Sequence, residues 1–119
     1  MPALHWTSDF LIGAAIGSGN TALAAERGGA DLLLAINAGR LRNMGAPSIA
    51  CMLPIADATQ MTESFAGEEL LAQCRIPVFL GVNVWGPTFE PVKIARRVKA
   101  SGFAGAVNFP SCMHYPRPL

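Results

Sequence analysis

The sequence predicts an α/β protein in which short buried strands alternate with helices and pair in one parallel sheet. Four apolar runs are separated by segments rich in helix formers or by longer irregular stretches, which gives the order βαβαβαβ. The runs are almost continuously apolar instead of alternating, as is typical of parallel strands covered by helices. A length of 119 residues allows at most one domain. Because 51% of the residues are hydrophobic and only 14% are charged, the chain is not intrinsically disordered.

Each predicted element follows from local composition. The strand candidates are the uninterrupted apolar runs: Phe10–Ile16, Ala30–Ile36, Pro77–Val82 and Gly105–Phe109. The helix candidates combine helix formers with a stop signal: Asn20–Arg27, Thr59–Cys74 and Pro91–Ala100. We expect Asn20 to cap the first helix, and glycines to end the first and third helices. In the third helix, Val92, Ala95 and Val98 predict one apolar face.

This pattern does not determine whether the parallel sheet curls into a barrel or remains an open sheet. Right-handed crossovers place every helix on the same side if the sheet curls into a barrel. Gly, Asn and Arg follow the strand candidates, and polar groups at carboxyl ends of strands are where barrel enzymes carry their chemistry. An open doubly wound sheet fits the same element order.

Charge and cysteine content exclude several classes of function. Nine basic and eight acidic residues leave a net charge of +1, which gives no electrostatic footprint for nucleic acid or an anionic membrane. The apolar runs are shorter than the roughly 20 residues of a membrane helix, and the first residues lack a basic signal-peptide region, so we expect a cytoplasmic protein. Cys51, Cys74 and Cys112 form no C-x-x-C pair, so no metal site is predicted, and the sequence does not identify a cofactor. His5 and His114 are expected to be solvated.

Gly17-Ser18-Gly19 follows a strand candidate and precedes a helix that contains Ala22, which matches the dinucleotide-binding pattern G-x-G-x-x-A. The pattern also needs a carboxylate after the second strand, where this sequence has Asn37-Ala38-Gly39-Arg40. Three interpretations stay open: a dinucleotide site, a general anion cradle at a helix N-terminus, or a tight turn.

Further polar residues follow the other strand candidates. Asn37, Gly39 and Arg40 are expected in a loop, where a guanidinium can bind a carboxylate or phosphate, or form a structural ion pair. Asp57 is either an acid/base group or the N-cap of the next helix. Asn83 and Asn108 each either orient a substrate oxygen or cap a strand end.

Several segments resemble one known family in order. They are Gly17-Ser18-Gly19, Gly28–Leu33, Asn37–Arg40, Ser48–Pro54 with Asp57-Ala58, Pro77–Val82, Gly102–Gly105 and Asn108–Pro110. Over residues 8–111 the chain resembles the phosphoenolpyruvate hydrolase-like proteins, also described as TIM-barrel signal-transduction proteins. Their barrel is also the C-terminal domain of Tm-1-type virus-resistance proteins of tomato. The resemblance implies a TIM barrel of which this chain holds about four strands, an incomplete barrel, with residues 112–119 as a divergent tail.

The resemblance has departures at two positions. The family has a serine where this chain has Ala38, and a cysteine and an aspartate in the stretch where this chain has Asn83–Pro87. A half barrel also implies open edges and uncovered apolar faces, so we expect either a homo-oligomer or a missing second half of the barrel.

The leading functional hypothesis is a barrel enzyme, or part of one, that binds a small phosphorylated or carboxylated metabolite and is inactive alone. Asp57 and Asn37 are the catalytic candidates, for proton transfer and substrate orientation. The substrate-binding candidates are Gly17, Ser18, Gly19, Gly39, Arg40, Asn83 and Asn108. The alternatives are a non-catalytic signalling or interaction module and a dinucleotide-binding domain.

Overall fold

The computed structural model describes residues 10–52, 57–84 and 89–108. Four strands are present in this part of the chain: β1 Gly13–Ile16, β2 Leu32–Ala35, β3 Val78–Gly81 and β4 Gly105–Val107. The α-helices are α1 Gly19–Arg27, α2 Asn37–Asn43, α3 Ala58–Phe65 and α4 Pro91–Ser101. A 3₁₀ turn at Ser48–Met52 and a π-helical turn at Ala66–Leu70 complete the described elements.

The strands form one parallel sheet in chain order, β1-β2-β3-β4. A doubly wound dinucleotide-binding sheet reverses its strand order at a switch point. No such reversal occurs among the four described strands, whereas a barrel adds each strand beside the previous one. The predicted α/β class and parallel βα units are therefore confirmed, and the sheet is that of a partial TIM-barrel-like fold.

The main core lies between the sheet and the helices. Leu33 pairs in register with Val78, and Ala35 with Leu80, and all four side chains are buried on this face. Phe65 and Leu70 cover them from α3 and the π-helical turn. This face is close-packed because helices cross back over it after β1 and β2.

The opposite face of the sheet is covered only in part. Near the carboxyl end of β2, Leu34 packs against a small cluster of Ile36, Ala38 and Cys51. Phe79 is half-buried, and Ala15 on β1 is exposed. In a complete barrel this face is the interior, which the side chains of all eight strands fill.

One helix boundary is set by a different residue than expected, and two are set as expected. Ser18, not Asn20, caps α1, because its extended backbone lets the hydroxyl accept from the Thr21 N–H. The expected glycine stops are confirmed: Gly29 follows α1 with a φ of +99°, and Gly102 follows α4 with a φ of +95°. Such left-handed conformations favour glycine.

The segment after β2 was expected to be a loop and is a helix. Asn37, Gly39 and Arg40 all lie in α2. Gly39 had suggested a turn, but Ala, Leu and two Arg residues in the same segment favour helix, and Gly39 serves a close contact described below. The expected helix Thr59–Cys74 is also shorter, since the chain passes from α3 into a π-helical turn that ends at Leu70.

The apolar face of α4 differs from the expected one. Val98 is buried and Ile94 packs against the core, whereas Val92 is 62% exposed. Ile94 and Val98 are four residues apart and thus share a face. No helix in the described ranges is long and apolar enough to cross a membrane. The predictions for His5, His114, Cys112, Phe109 and residues 112–119 lie outside the described residues.

Candidate functional site

The carboxyl ends of β1 and β2 are held together by two glycines. A side chain at Gly17 would overlap the backbone of Gly39 and Arg40. A Cβ at Gly39 would lie 2.9 Å from the Gly17 nitrogen and 2.9 Å from the Ile16 carbonyl carbon. The two glycines therefore allow the first turn of α2 to pack directly on the residue that follows β1.

The N-terminus of α1 carries a carboxylate from the protein itself. Ser18 Oγ accepts from the Thr21 N–H at 3.3 Å and lies 2.8 Å from Thr21 Oγ1. The backbone N–H of Gly19, in the first turn of α1, donates to Glu69 Oε1 at 3.0 Å. A helix N-terminus favours an anion, and Glu69 provides one here. The role of Gly17, Ser18 and Gly19 in binding a substrate remains a prediction.

Arg40 forms the second contact of Glu69. Its Nη1 lies 2.9 Å from Glu69 Oε2 and 3.3 Å from Oε1, and also approaches the Gly17 carbonyl oxygen at 3.5 Å. The guanidinium carbon lies 5.5 Å from the centre of the Phe65 ring, within the range of a cation–π contact. The hydrogen bonds and the ion pair that the described residues make to this guanidinium all use Nη1.

Asn37 has a buried polar atom to which no residue in the described ranges donates a hydrogen bond. The residue is 3% exposed, and its Nδ2 donates to the Cys51 carbonyl oxygen at 3.3 Å. Its Oδ1 is buried and accepts no hydrogen bond from any residue in the described part of the chain. A buried acceptor without a donor costs roughly 1–3 kcal/mol, and such atoms are rare outside strained or functional sites. Asn37 and Arg40 are one helical turn apart on α2, so they share a face.

The remaining candidates lie at the same edge of the sheet with different local roles. Asp57 is the N-cap of α3, and its Oδ1 accepts from the Gln60 N–H at 2.9 Å. The capping alternative is thus observed, and a role in proton transfer remains a prediction. Asn83 is 8% exposed, and its N–H donates to Thr59 Oγ1 at 2.8 Å, which ties the end of β3 to the start of α3. Asn108 is exposed directly after β4.

Neither described cysteine is placed to act as a nucleophile. Cys51 is buried, and burial raises the pKa of the Cys74 thiol, with the negative charge of Glu26 adding to the effect. A raised pKa lowers the fraction of the Cys74 thiol that is present as the reactive thiolate near neutral pH. Within the described ranges, no group of His, Cys, Asp and Glu side chains is arranged to hold a metal ion.

Glu69 and Phe65 are the residues that sequence reasoning missed. Glu69 is 29 residues from Arg40 and 50 residues from Gly19, and no local motif connects them. Only the packing of the π-helical turn against the start of α1 brings the carboxylate to this position. The structure thus joins Gly17, Gly19, Gly39 and Arg40 in one cluster, with Asn37 on the same helix as Arg40.

The fold and this edge define consecutive βα units of a barrel with polar groups at the carboxyl ends of the strands. Residues 3–116 match the phosphoenolpyruvate hydrolase-like family, and the chain belongs to that family. The match extends beyond residues 8–111 at both ends.

Three curated proteins illustrate the relationship. A protein of Sinorhizobium fredii named as a transcriptional regulatory protein, y4pA, is 46% identical over 109 residues, 92% of this chain and 18% of that protein. The tomato (Solanum lycopersicum) ToMV resistance protein Tm-1(GCR237) and ToMV susceptible protein tm-1(GCR26) are each 36% identical over 101 residues. These matches cover 85% of this chain and 13% of each tomato protein. The chain therefore spans less than a fifth of the length of these relatives.

Proposed function

We propose that this chain contributes the first four βα units of a ligand-binding barrel, and that the ligand is a small phosphorylated or carboxylated metabolite. The ligand binds at the carboxyl ends of β1 and β2, beside α2. The observation that carries the proposal is the buried Oδ1 of Asn37, to which no described residue donates, one helical turn from the partly exposed guanidinium of Arg40. An acceptor beside a cation suits a molecule that has both a donor, such as a hydroxyl, and an anionic group.

Arg40 supplies the anion contact in this proposal. Its Nη1 is engaged by Glu69, but Nε and Nη2 can still form the two parallel hydrogen bonds that guanidinium groups make to carboxylates and phosphates. The Glu69 carboxylate lowers the positive electrostatic potential around Arg40. An anionic ligand therefore binds Arg40 more weakly than it would without Glu69. Asn37 orients the ligand, and Asp57 is the candidate for proton transfer if the assembled barrel is catalytic.

A second candidate function is a ligand-sensing module without turnover. One relative is named as a transcriptional regulatory protein. The residues of the present chain carry a net charge of only +1, which does not favour DNA binding by this part of such a protein. In such a protein the barrel detects the metabolite and another part acts on it. Ligand binding without turnover by a full-length homologue distinguishes this role from hydrolysis of an enol phosphate.

Calorimetric titration with phosphoenolpyruvate and inorganic phosphate tests the proposed ligand class, with NAD as the comparison. The informative variant is Arg40→Lys, because lysine retains the charge that pairs with Glu69 but lacks the second donor edge. We expect Arg40→Lys to weaken anion binding at least tenfold. Arg42→Lys is the matched control, since the Nε of Arg42 donates to the Ala38 carbonyl oxygen of its own helix.

Glu69→Gln provides the opposite test at the same position. Removal of the negative charge beside Arg40 is expected to tighten anion binding by roughly fivefold, equivalent to about 1 kcal/mol. Unchanged affinity in both Arg40→Lys and Glu69→Gln would exclude this cluster as the anion site. Stronger binding of NAD than of either anion would favour the dinucleotide alternative instead.

A further inference from the structure

The side chain of Glu69 is fixed at both of its ends. A Cβ at Gly19 would lie 3.2 Å from the Cβ of Glu69, so the glycine permits an unusually close approach of the two residues. At the other end, Oε1 accepts from the Gly19 N–H at 3.0 Å, and Oε2 lies 2.9 Å from Nη1 of Arg40. Both carboxylate oxygens are therefore engaged, and the negative charge is a fixed part of the cluster.

This charge weakens both sources of positive potential at the carboxyl end of β1. Glu69 forms an ion pair with Arg40, and it also accepts a hydrogen bond at the positive N-terminal end of α1. The other cation of α2, Arg42, is exposed, and its Nε donates to the Ala38 carbonyl oxygen of its own helix. An incoming anion therefore meets a guanidinium whose charge is already largely paired.

A lowered positive potential disfavours doubly charged ligands more than singly charged ones. Electrostatic attraction grows in proportion to the charge of the ligand, whereas the Born cost of removing an ion from water grows with the square of its charge. A carboxylate carries one negative charge, and a phosphate monoester carries about 1.5 to 2 near neutral pH. The weakened attraction therefore offsets the cost for a carboxylate more readily than for a phosphate.

The number of hydrogen-bond donors favours the same ligand. The edge of the Arg40 guanidinium that the proposed function assigns to the ligand has two donors, which match the two oxygens of a carboxylate. A phosphate has a third oxygen that needs a donor of its own. Two further donors of the cluster, Arg40 Nη1 and the Gly19 N–H, already donate to Glu69.

We propose that Glu69 makes this subsite selective for a carboxylate over a phosphate, and that the ligand class is a small hydroxycarboxylate. The proposal rests on the proposed function, in which Arg40 binds the anionic group and Asn37 Oδ1 accepts from the hydroxyl of the ligand. Glu69 is then the specificity-determining residue, because it sets the positive potential that Arg40 presents to the ligand.

Glycolate and hydroxymethylphosphonate are a matched pair of probes, because they share a hydroxymethyl group and differ only in the anionic group. NMR titration of the chain at a pH of about 8, where the phosphonate is largely dianionic, follows the Cζ signal of Arg40. We expect glycolate to bind roughly tenfold more tightly than hydroxymethylphosphonate. Glu69→Gln should tighten phosphonate binding by roughly 25-fold, the square of the fivefold gain for a monoanion, because Coulomb energy scales with ligand charge.

Two comparisons keep the test specific to the charge of Glu69. Glutamine retains an oxygen that can accept from the Gly19 N–H, so the variant should have the circular dichroism spectrum of the wild type. Glu68→Gln is the matched control, because Glu68 lies on the same π-helical turn and is exposed, and it should leave the preference for glycolate unchanged.

The outcomes separate this proposal from the proposed function. Tighter binding of hydroxymethylphosphonate than of glycolate, or an equal gain for both probes in Glu69→Gln, would overturn the selectivity and leave Arg40 as the anion site. A Gly19 amide signal that shifts as the phosphonate binds would show that the ligand displaces Glu69, which also overturns it. An Arg40 Cζ signal that responds to neither probe would overturn both proposals.

Discussion

At the scale of single residues, the closest contact of the candidate site involves two residues without side chains. Gly17 and Gly39 let the backbone after β1 meet the first turn of α2, and this contact positions Arg40 beside the N-terminus of α1. Glu69 then links Arg40 to the Gly19 N–H. The two glycines therefore help to determine where the Arg40 guanidinium lies at this edge of the sheet.

Gly17→Ala is expected to lower the free energy of unfolding by about 3 kcal/mol or more, since a methyl group at this position overlaps backbone atoms that cannot rotate away. Urea denaturation followed by circular dichroism measures the change. Gly67→Ala is the control: a Cβ at Gly67 meets no atom within 4 Å, and alanine is favoured over glycine in a helical segment. Equal stability of the two variants would contradict the proposed contact.

The polar residues of the site were predictable where they follow a strand and not where they arrive from elsewhere in the chain. Asn37 and Arg40 stand out because they come directly after an apolar run. Glu69 lies on a helical segment where a carboxylate is ordinarily a solvated side chain. Its role depends on a contact across 50 residues, which no periodicity in the sequence expresses.

At the scale of elements, strands and helices were predictable where composition and stop signals agree. α1 and α4 have helix formers followed by glycines, and both were predicted almost to the residue. α2 was missed because Gly39 imitates a turn, while its actual function is a backbone contact with another element. The end of α3 was misplaced because a π-helical turn has no simple compositional signature.

The junction between α1 and β3 depends on one side chain. Glu26 Oε1 accepts from the N–H groups of Arg75 and Ile76, at 2.6 and 3.0 Å, and thereby fixes the chain just before β3. Glu26→Ala is expected to cost about 1–3 kcal/mol of unfolding free energy, because it removes a charged acceptor shared by two backbone donors.

Thermal or urea unfolding measures the effect of Glu26→Ala, with Glu68→Ala as the control because Glu68 is exposed. The Glu26 variant should also lower the pKa of Cys74, since the charge of Glu26 adds to the effect of burial on that thiol. A stability loss no larger than that of Glu68→Ala would show that the two hydrogen bonds contribute little.

At the scale of the whole molecule, the low content of charged residues has a structural explanation. Only 14% of the residues are charged, against about 25% in an average globular domain. The chain therefore has more apolar residues than the core of a domain of this size needs. The structure places part of this excess on the half-covered face of the sheet and on the exposed residues beside β1, including Phe10 and Ile12. Both features are those expected of one part of a barrel, in which further strands cover this face of the sheet.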